Sequence, residues 1–438
     1  MANFFQASKK KQTLGQVFDI TIERVDLNGC GVARLNNKPV FIEQTLPGEV
    51  VKAKIVEQKS KYSRAKIIEI SQPSPQRVKP LCEHFRSCGG CDLQHWSFSE
   101  HLAFKQEKVM NLFQRNQVEQ PLPWQNAIVS EPWYYRRKAR IGVQYDKHNK
   151  AVLGFRQKST NQLTTIKKCH VLVEEISTIF APLKNIINQL SLSRSVGHIE
   201  VIVTEQVNLV IRQLKNLNDK DRALWESAEQ LNRWQVFIDD GEQVQPLTKA
   251  KSLTYALSNN IKLSYKTTDF IQINHHVNVS MVEQALDWLS LKPIDIVLDL
   301  FCGLGNFSLS IAQKVKQVVG VEGVQNMVER ATINAQANQL TNCQFYQADL
   351  NADWSRQTWS QEKFNKVLLD PARAGALEAI EQLVQLSVKH ILYVSCDPST
   401  LARDAKQLIS HGYKIEKIAL IDMFSQTKHV ETMVLFSR

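Results

Sequence analysis

Cys396 sits in Ser395-Cys396-Asp397-Pro398, directly after the apolar run Ile391-Leu392-Tyr393-Val394. That run has the length and β-branched content of a strand, and the Asp-Pro pair ends it. A thiol at the carboxyl end of a parallel strand stands where open α/β sheets keep their ligands and their chemistry. It can serve there as a covalent nucleophile. The competing reading is a small buried hydrophobe, and other segments must decide between the two. A second constellation is Cys82-x5-Cys88-x2-Cys91, with Gly89-Gly90 between the last two, and a remote thiol, Cys169, in Lys167-Lys168-Cys169-His170. Cysteines this close together in a cytosolic chain read as a metal site. Zinc sites usually show two Cys-x2-Cys pairs, or one pair with histidines at fixed spacing. Three close cysteines and one distant one suit a [4Fe–4S] cluster held by four thiolates. The glycines let the backbone pass close to a bulky cluster. If the metal is zinc, His84 and His95 are the further candidate ligands.

The elements that must position Cys396 begin with Ile296-Val297-Leu298-Asp299-Leu300-Phe301, a buried-strand pattern. It runs into Cys302-Gly303-Leu304-Gly305-Asn306 and then a helix from about Phe307. Val318-Val319-Gly320-Val321-Glu322 is the next strand and ends in an acid. Strand, glycine turn, helix and an acidic strand end roughly 20 residues on form a nucleoside-binding arrangement, in which the acid takes the ribose hydroxyls. The third glycine of the dinucleotide pattern is missing, and no run cradles a pyrophosphate. S-adenosyl-L-methionine therefore fits better than NAD. Asp349 follows the strand-like Cys343-Gln344-Phe345-Tyr346, where it can accept from the adenine amino group. Strand Lys366-Val367-Leu368-Leu369 then ends in Asp370-Pro371-Ala372-Arg373.

Ahead of this part, residues 12–72 read as about five short strands with glycine turns, which argues for a small barrel. Lys52, Lys54, Lys59, Lys61, Arg64 and Lys66 cluster on its last hairpin, and Pro73, Pro75 and Pro80 form a linker. Residues 99–270 alternate helix and strand, with a helix over 101–114. Within them, Tyr134-Tyr135-Arg136-Arg137-Lys138-Ala139-Arg140-Ile141 mixes aromatic and basic side chains and suits phosphate contact with base stacking. The formal net charge of the 438 residues is +11, and residues 1–170 hold 28 Lys and Arg against 14 Asp and Glu. The rest is close to balanced. A basic front end beside a neutral remainder fits a polyanion, RNA or DNA before a membrane surface, since no amphipathic anchor is present. No apolar run reaches the ~18 residues of a membrane span. Met1-Ala2-Asn3-Phe4-Phe5-Gln6 lacks the charged flank and apolar core of a signal peptide. The expected location is cytoplasmic, where the eight cysteines stay out of disulfides.

Two resemblances follow from these residues. The first segment resembles the TRAM domain, an oligonucleotide-binding-like barrel of RNA-modifying enzymes. Asp370-Pro371-Ala372-Arg373-Ala374-Gly375, Val394-Ser395-Cys396-Asp397-Pro398 and Asp422-Met423-Phe424 with His429-Val430-Glu431 resemble the motifs of the RNA uracil-C5 methyltransferase family. With the barrel and the cysteines added, nearly the whole chain is similar to the branch that methylates one uridine of 23S ribosomal RNA. The resemblance implies S-adenosyl-L-methionine as methyl donor, a [4Fe–4S] cluster on Cys82, Cys88, Cys91 and Cys169, Cys396 as nucleophile and Glu431 as general base. It implies donor contacts from Gln272, Phe301, Asn306, Glu322, Asp349 and Asp370. The expected organisation is multidomain α/β. It has a TRAM-like barrel over 1–72, a central α+β domain with the cluster over 73–270, and a Rossmann-like class I methyltransferase domain over 271–438. Three positions depart from the family pattern. Asp397 stands where Asn is usual and adds a negative charge near the thiol. Ser425-Gln426 replaces Pro-His, and Asp349 replaces a frequent Asn. The other readings are the same chemistry on another ribosomal or transfer RNA uridine, with the barrel and cysteines speaking against transfer RNA; a non-catalytic RNA-binding assembly factor; and an iron–sulfur redox or radical enzyme. No obligate protein partner is evident.

Overall fold

The computed structural model describes residues 14–438, so the reading of Met1–Gln6 lies outside the described residues. The chain forms two compact units. The first takes the chain up to Arg86 together with Gly90–Phe104 and Gln426–Lys428; the second takes Ser87–Gly89, Lys105–Ser425 and His429–Arg438.

In the first unit six strands form one sheet, in the order Val17–Thr21, Val50–Gln58, Ser63–Gln72, Lys38–Glu43, Cys30–Leu35, Arg24–Val25. The strand beyond the five expected is the two-residue Arg24–Val25, too short to leave a pattern in the sequence. Alternation does the folding here: Val51, Ala53, Ile55 and Ala65 face the core with Val40 and Ile42, while Lys54, Lys61, Arg64 and Lys66 stay exposed. Arg77 closes the unit's linker side by donating to the buried Glu49, with Nη2 at 2.8 Å from Oε2.

The second unit carries two seven-stranded sheets. One is mixed and runs Val244–Pro246, Trp234–Asp239, Val207–Gln213, Val196–Val203, Lys138–Tyr145, Ala151–Arg156, Leu163–Thr165. The other runs Cys343–Gln347, Gln317–Glu322, Ile296–Leu300, Lys366–Leu369, His390–Ser395, Glu431–Ser437, Lys414–Ile421. Its first five strands are parallel and Glu431–Ser437 is antiparallel to both neighbours. Both faces are buried, which is why these strands read as unbroken apolar runs. Leu298, Val367, Ile391 and Phe436 enter the core on one face; Val297, Leu368, Leu392 and Leu435 enter it on the other. The helix His275–Leu289 covers the second face and starts on Asn274, whose side chain accepts from the Val277 N–H at 3.2 Å. Strand order reverses between Ile296–Leu300 and Lys366–Leu369, which opens a crevice at their carboxyl ends. No helix among the described residues is long and apolar enough to cross a membrane.

Lys54 and Lys66 are direct cross-strand partners. Like charges in that relation are destabilising, so the hairpin carries a basic surface at some expense to its own stability. Lys54→Glu should therefore raise the melting temperature, through a pair interaction of about 0.2–1 kcal/mol. Thermal unfolding at low and high salt checks this, since the gain should shrink as salt screens the exposed pair.

Candidate active site

The crevice is built from backbone first. After Leu300 the chain turns with Phe301 in the left-handed region, φ +64°, and the N–H groups of Phe301 and Cys302 both reach the Val321 carbonyl, at 2.9 and 3.2 Å. Gly303 follows with φ +54°, and a Cβ built on it would meet no atom within 4 Å. Glycine is needed there for the conformation, and the space beside it is open. The Glu322 carboxylate is held at the end of its strand by the N–H groups of Gly303 and Val324, each at 3.1 Å. Asn306 and Asn278 exchange side-chain hydrogen bonds at 2.9 and 3.0 Å. Asp349 is exposed and accepts from the Asn351 N–H at 3.0 Å. Asp370 leaves the end of its strand with its N–H on the Leu300 carbonyl. The carboxyl ends of four adjacent strands thus bring Phe301, Asn306, Glu322, Asp349 and Asp370 to one end of the sheet. An open cradle over a left-handed glycine, beside a fixed carboxylate and with no phosphate nest, fits the adenosine end of a methyl donor.

Gln272 lies on the approach to the helix His275–Leu289, where Arg137, read in the sequence as an RNA contact, holds its backbone. The buried Arg137 donates from Nε to the Gln272 carbonyl at 2.8 Å and from Nη1 to His275 Nδ1 at 3.2 Å, and its guanidinium stacks 4.5 Å from the Tyr255 ring centre. Burial and the Arg137 charge push His275 down to about 4, so this histidine accepts as a neutral ring. The aromatic and basic run from Tyr134 to Ile141 alternates, with Tyr134, Arg136 and Lys138 half-buried and Arg140 exposed. Tyr135 and Arg137 are buried, and the exposed Arg140 is paired with Glu200 at 2.6 Å.

Cys396 follows the strand His390–Ser395, and Ser395 is the cross-strand partner of Thr432. That register brings Cys396 and Glu431 to the same end of two neighbouring strands. Burial first, then the Glu431 and Asp370 carboxyls, push the Cys396 thiol up to about 11, against the pull of Arg373. Burial and Asp370 push Glu431 up to about 8, while Arg373 and Lys105 pull it down. Burial and Asp299 push Asp370 up to about 7. Asp299 itself is fully buried and pushed up to about 7 by burial; its Oδ2 takes the Ser308 hydroxyl while Oδ1 has no hydrogen-bond partner. Its signal in the sequence was a charged residue inside an apolar strand. Asp397, expected to make the thiol less acidic, is not among the groups that do so. Its carboxylate caps the helix Pro398–Ser410, accepting from the Ser399 N–H at 2.8 Å and the Thr400 N–H at 3.4 Å, a task Asn performs equally well. Ser425 and Gln426 are buried, and the Gln426 carbonyl receives the N–H groups of Asp92 and Leu93 at 2.9 and 3.2 Å.

The cysteine constellation is described within each unit. In the second unit Cys88 is buried, bridges Gln157 and lies near Cys169. Gly89 passes so close to Arg156 that a Cβ would stand 2.9 Å from its carbonyl oxygen, so the strand contact alone demands that glycine. Burial pushes the Cys169 thiol up, and hydrogen bonds from the Val171 and Leu172 N–H groups pull it down. In the first unit Cys91 is buried, and the Cys82 N–H donates to Gln94 at 3.1 Å. His84 contacts Glu83 at 3.2 Å, and His95 stacks on Phe85 with ring centres 5.5 Å apart. Among the described residues no group of three or more Cys, His, Asp or Glu is arranged to hold a metal ion. A thiol that already receives two amide N–H bonds beside a second buried thiol does fit the sulfur environment of an iron–sulfur ligand.

Comparisons with known proteins agree with this geometry. A family model described as tRNA (Uracil-5-)-methyltransferase matches residues 97–438, and one described as TRAM domain matches residues 11–68. The chain is 53% identical to the 23S rRNA (uracil(1939)-C(5))-methyltransferase RlmD of Colwellia psychrerythraea, over 100% of this chain and 99% of that one. It is 43% identical to the protein of the same name from Psychromonas ingrahamii, over the full length of both. The crystal structure of the tRNA (uracil-54, C5)-methyltransferase of Pyrococcus abyssi, in complex with S-adenosyl-L-homocysteine, has a TM-score of 0.76 and 20% identity, covering 96% of this chain and 100% of that one. The last is a likeness of fold that includes the N-terminal barrel.

Glu431 gives a stability prediction with a definite sign. Its folded value is raised, so folding favours the protonated acid. That contribution is intact below about 4.5 and is lost as pH climbs towards about 8. Glu431→Gln removes the loss. Thermal melts should show the variant equal to the parent near pH 4.5 and more stable near pH 8. A variant less stable at the higher pH would mean that the carboxylate is well paired.

Proposed function

The chain belongs to the tRNA (uracil-5-)-methyltransferase family, and on that premise we propose that it transfers a methyl group from S-adenosyl-L-methionine to C5 of a uridine in 23S ribosomal RNA. The observation that carries the reading is the meeting of Cys396 and Glu431 at the end of one sheet, beside Asp370 and Arg373. The choice of 23S RNA over transfer RNA rests on the full-length relatives that bear that name. The rest of the division of labour is a TRAM-like barrel over 1–72 for RNA, a central domain over 73–270, and a methyltransferase domain over 271–438, working in the cytoplasm.

Uracil C5 is a poor nucleophile, which is why a thiol is needed. Cys396 adds as thiolate to C6, and the electron pair moves onto O4 and C5. Arg373 is positioned to offset the charge that develops at O4. C5 then takes the methyl group from the donor sulfonium. Glu431 removes the C5 proton; the C–H electrons form the C5–C6 double bond, and the Cys396 sulfur leaves with its pair. Gln272, Phe301, Asn306, Glu322, Asp349 and Asp370 hold the donor. At rest the thiol is high because it is buried and because two carboxyls face it. A donor whose sulfur is positively charged offsets them, so donor binding favours the thiolate. The uridine must leave its stack to reach the thiol.

Cys82, Cys88, Cys91 and Cys169 would hold a [4Fe–4S] cluster. With all four thiolates engaged these cysteines would leave no site on the group for substrate, and its part would be structural. Cys88→Ser should bleach the iron–sulfur absorption and lower solubility or RNA binding. A folded, RNA-binding variant that lost only turnover would overturn the structural role.

Cys396 and Glu431 should fail in different ways. Cys396→Ala should give neither methylated RNA nor a covalent adduct. Glu431→Gln still allows addition and methyl transfer, so it should trap the protein on methylated RNA as a species that survives a denaturing gel. Labelled 23S RNA and transfer RNA, each run with S-adenosyl-L-methionine, decide the substrate in the same experiment. Methylation by Cys396→Ala would place the nucleophile elsewhere. Adenosylmethionine turnover without any adduct in Glu431→Gln would exclude this order of steps.

A further inference from the structure

Lys105 has no exposed surface. It lies on the helix Phe98–Arg115, and its ammonium donates to Asp422 Oδ1 at 2.5 Å and to the Phe424 carbonyl at 3.1 Å. Asp422 is buried as well, and its Oδ2 has no hydrogen-bond partner. A buried ion pair seldom stabilises a fold better than packed apolar side chains. Its placement suggests another use. Asp422 directly follows Lys414–Ile421, and Ile421 is the cross-strand partner of Glu431. The pair therefore stands at the same sheet end as the base. The charged and titratable groups acting at that end are Asp370 and Arg373 from the loop after Lys366–Leu369, Cys396 from the end of His390–Ser395, and Lys105 with its partner Asp422. Asp370 works against an ionised Glu431, and only Arg373 and Lys105 work for it.

Resting on the methyltransferase reading above, we propose that Lys105 is a positioning residue for proton removal: its ammonium, tethered by Asp422 and the Phe424 carbonyl, supplies a fixed positive charge that keeps the Glu431 carboxylate available as base. Arg373 pulls on Glu431 as well and is the stronger of the two cations; Lys105 is the one with no exposed surface and with its ammonium tethered on Asp422. Lys105 touches neither RNA nor donor, and it exchanges no proton. The C5 proton still goes to Glu431, and the C–H pair still closes the ring double bond as the Cys396 sulfur departs.

The test is a single turnover of the full-length protein with 23S RNA and S-adenosyl-L-methionine, sampled on denaturing gels across a range of pH. Formation of the covalent species reports Cys396, and its decay reports Glu431. Lys105→Met should form the species at the parental rate and resolve it with a pH limb moved upward by about one unit, roughly a tenfold slowing on the acid side of the limb. Lys105→Met with Asp422→Asn leaves no lone buried charge and keeps the experiment usable if the single variant fails to fold; its limb should move in the same direction. A folded variant, single or double, whose decay keeps the parental pH limb overturns the proposal, as does equal slowing of formation and decay. If the parent protein forms no covalent species at all, the methyltransferase reading itself has failed and the role of Lys105 falls with it.

Discussion

The site is governed by a shortage of positive charge at the end of a buried parallel sheet. Asp299, Asp370 and Glu431 are all raised, each by burial first, and Asp299 and Asp370 raise their neighbours in turn. Three carboxyls in low dielectric cannot all ionise together, because each added charge makes the next more costly. Two cations, Arg373 and Lys105, are the groups that pull Glu431 back. On the proposed mechanism the balance is useful as well as costly. Cys396 has to be a poor thiolate until the positively charged donor is present, and Glu431 has to ionise late in the cycle, once the C5 proton has become acidic. A site with more positive charge would hold both groups ionised from the start and expose a reactive thiolate to oxidation.

The rest of the second unit serves to keep that cluster in place. Parallel strands buried on both faces leave side chains little room to rearrange, and the strand-order reversal leaves one crevice in which loops can meet. The elements that hold the crevice come from far along the chain. Arg137, just ahead of the strand Lys138–Tyr145, pins the Gln272 carbonyl, and Lys105 reaches Asp422 across 317 positions. The first unit follows another logic. Its longest strands alternate over part of their length, its core is small, and its outer face places Lys54 opposite Lys66. Such a surface is explained by a polyanionic partner better than by stability.

What the sequence made legible follows from this difference. Glu431 entered through the resemblance of its motif alone. Cys396 stood out because it ends an apolar run, and a polar group at a strand end leaves a local mark. The glycine turn at Gly303 and the acid at Glu322 were legible for the same reason. The two-residue strand Arg24–Val25 left no pattern. Within the run from Tyr134 to Ile141 the inward turn of Arg137 was not legible, since composition cannot tell a guanidinium facing solvent from one stacked on Tyr255 and bonded to a backbone carbonyl. Asp397 looked like a catalytic disturbance and proved to be a helix cap. Charge alone gave no hint of where its carboxylate points. Asp299 was visible as an oddity within its strand but carried no role until its neighbours were known.

Lys105 is the extreme case. Its neighbours Phe104 and Gln106 suggest an ordinary amphipathic helix, in which a lysine is a solvated residue by default. Only the burial of its whole side chain and its bond to Asp422 give it meaning. That bond also explains why Asp422 tolerates an oxygen without a partner. Charge on an unbonded Oδ2 in low dielectric is affordable only beside a cation held in hydrogen-bond contact with its twin. Apolar side chains in both places would pack as well, but they would leave Glu431 facing Asp370 with Arg373 as its sole counterweight. The strand register that sets Ile421 against Glu431 therefore does two things at once. It aligns the base with the nucleophile, and it brings the one fully buried lysine of the second unit to the end of the sheet where a positive charge is scarce.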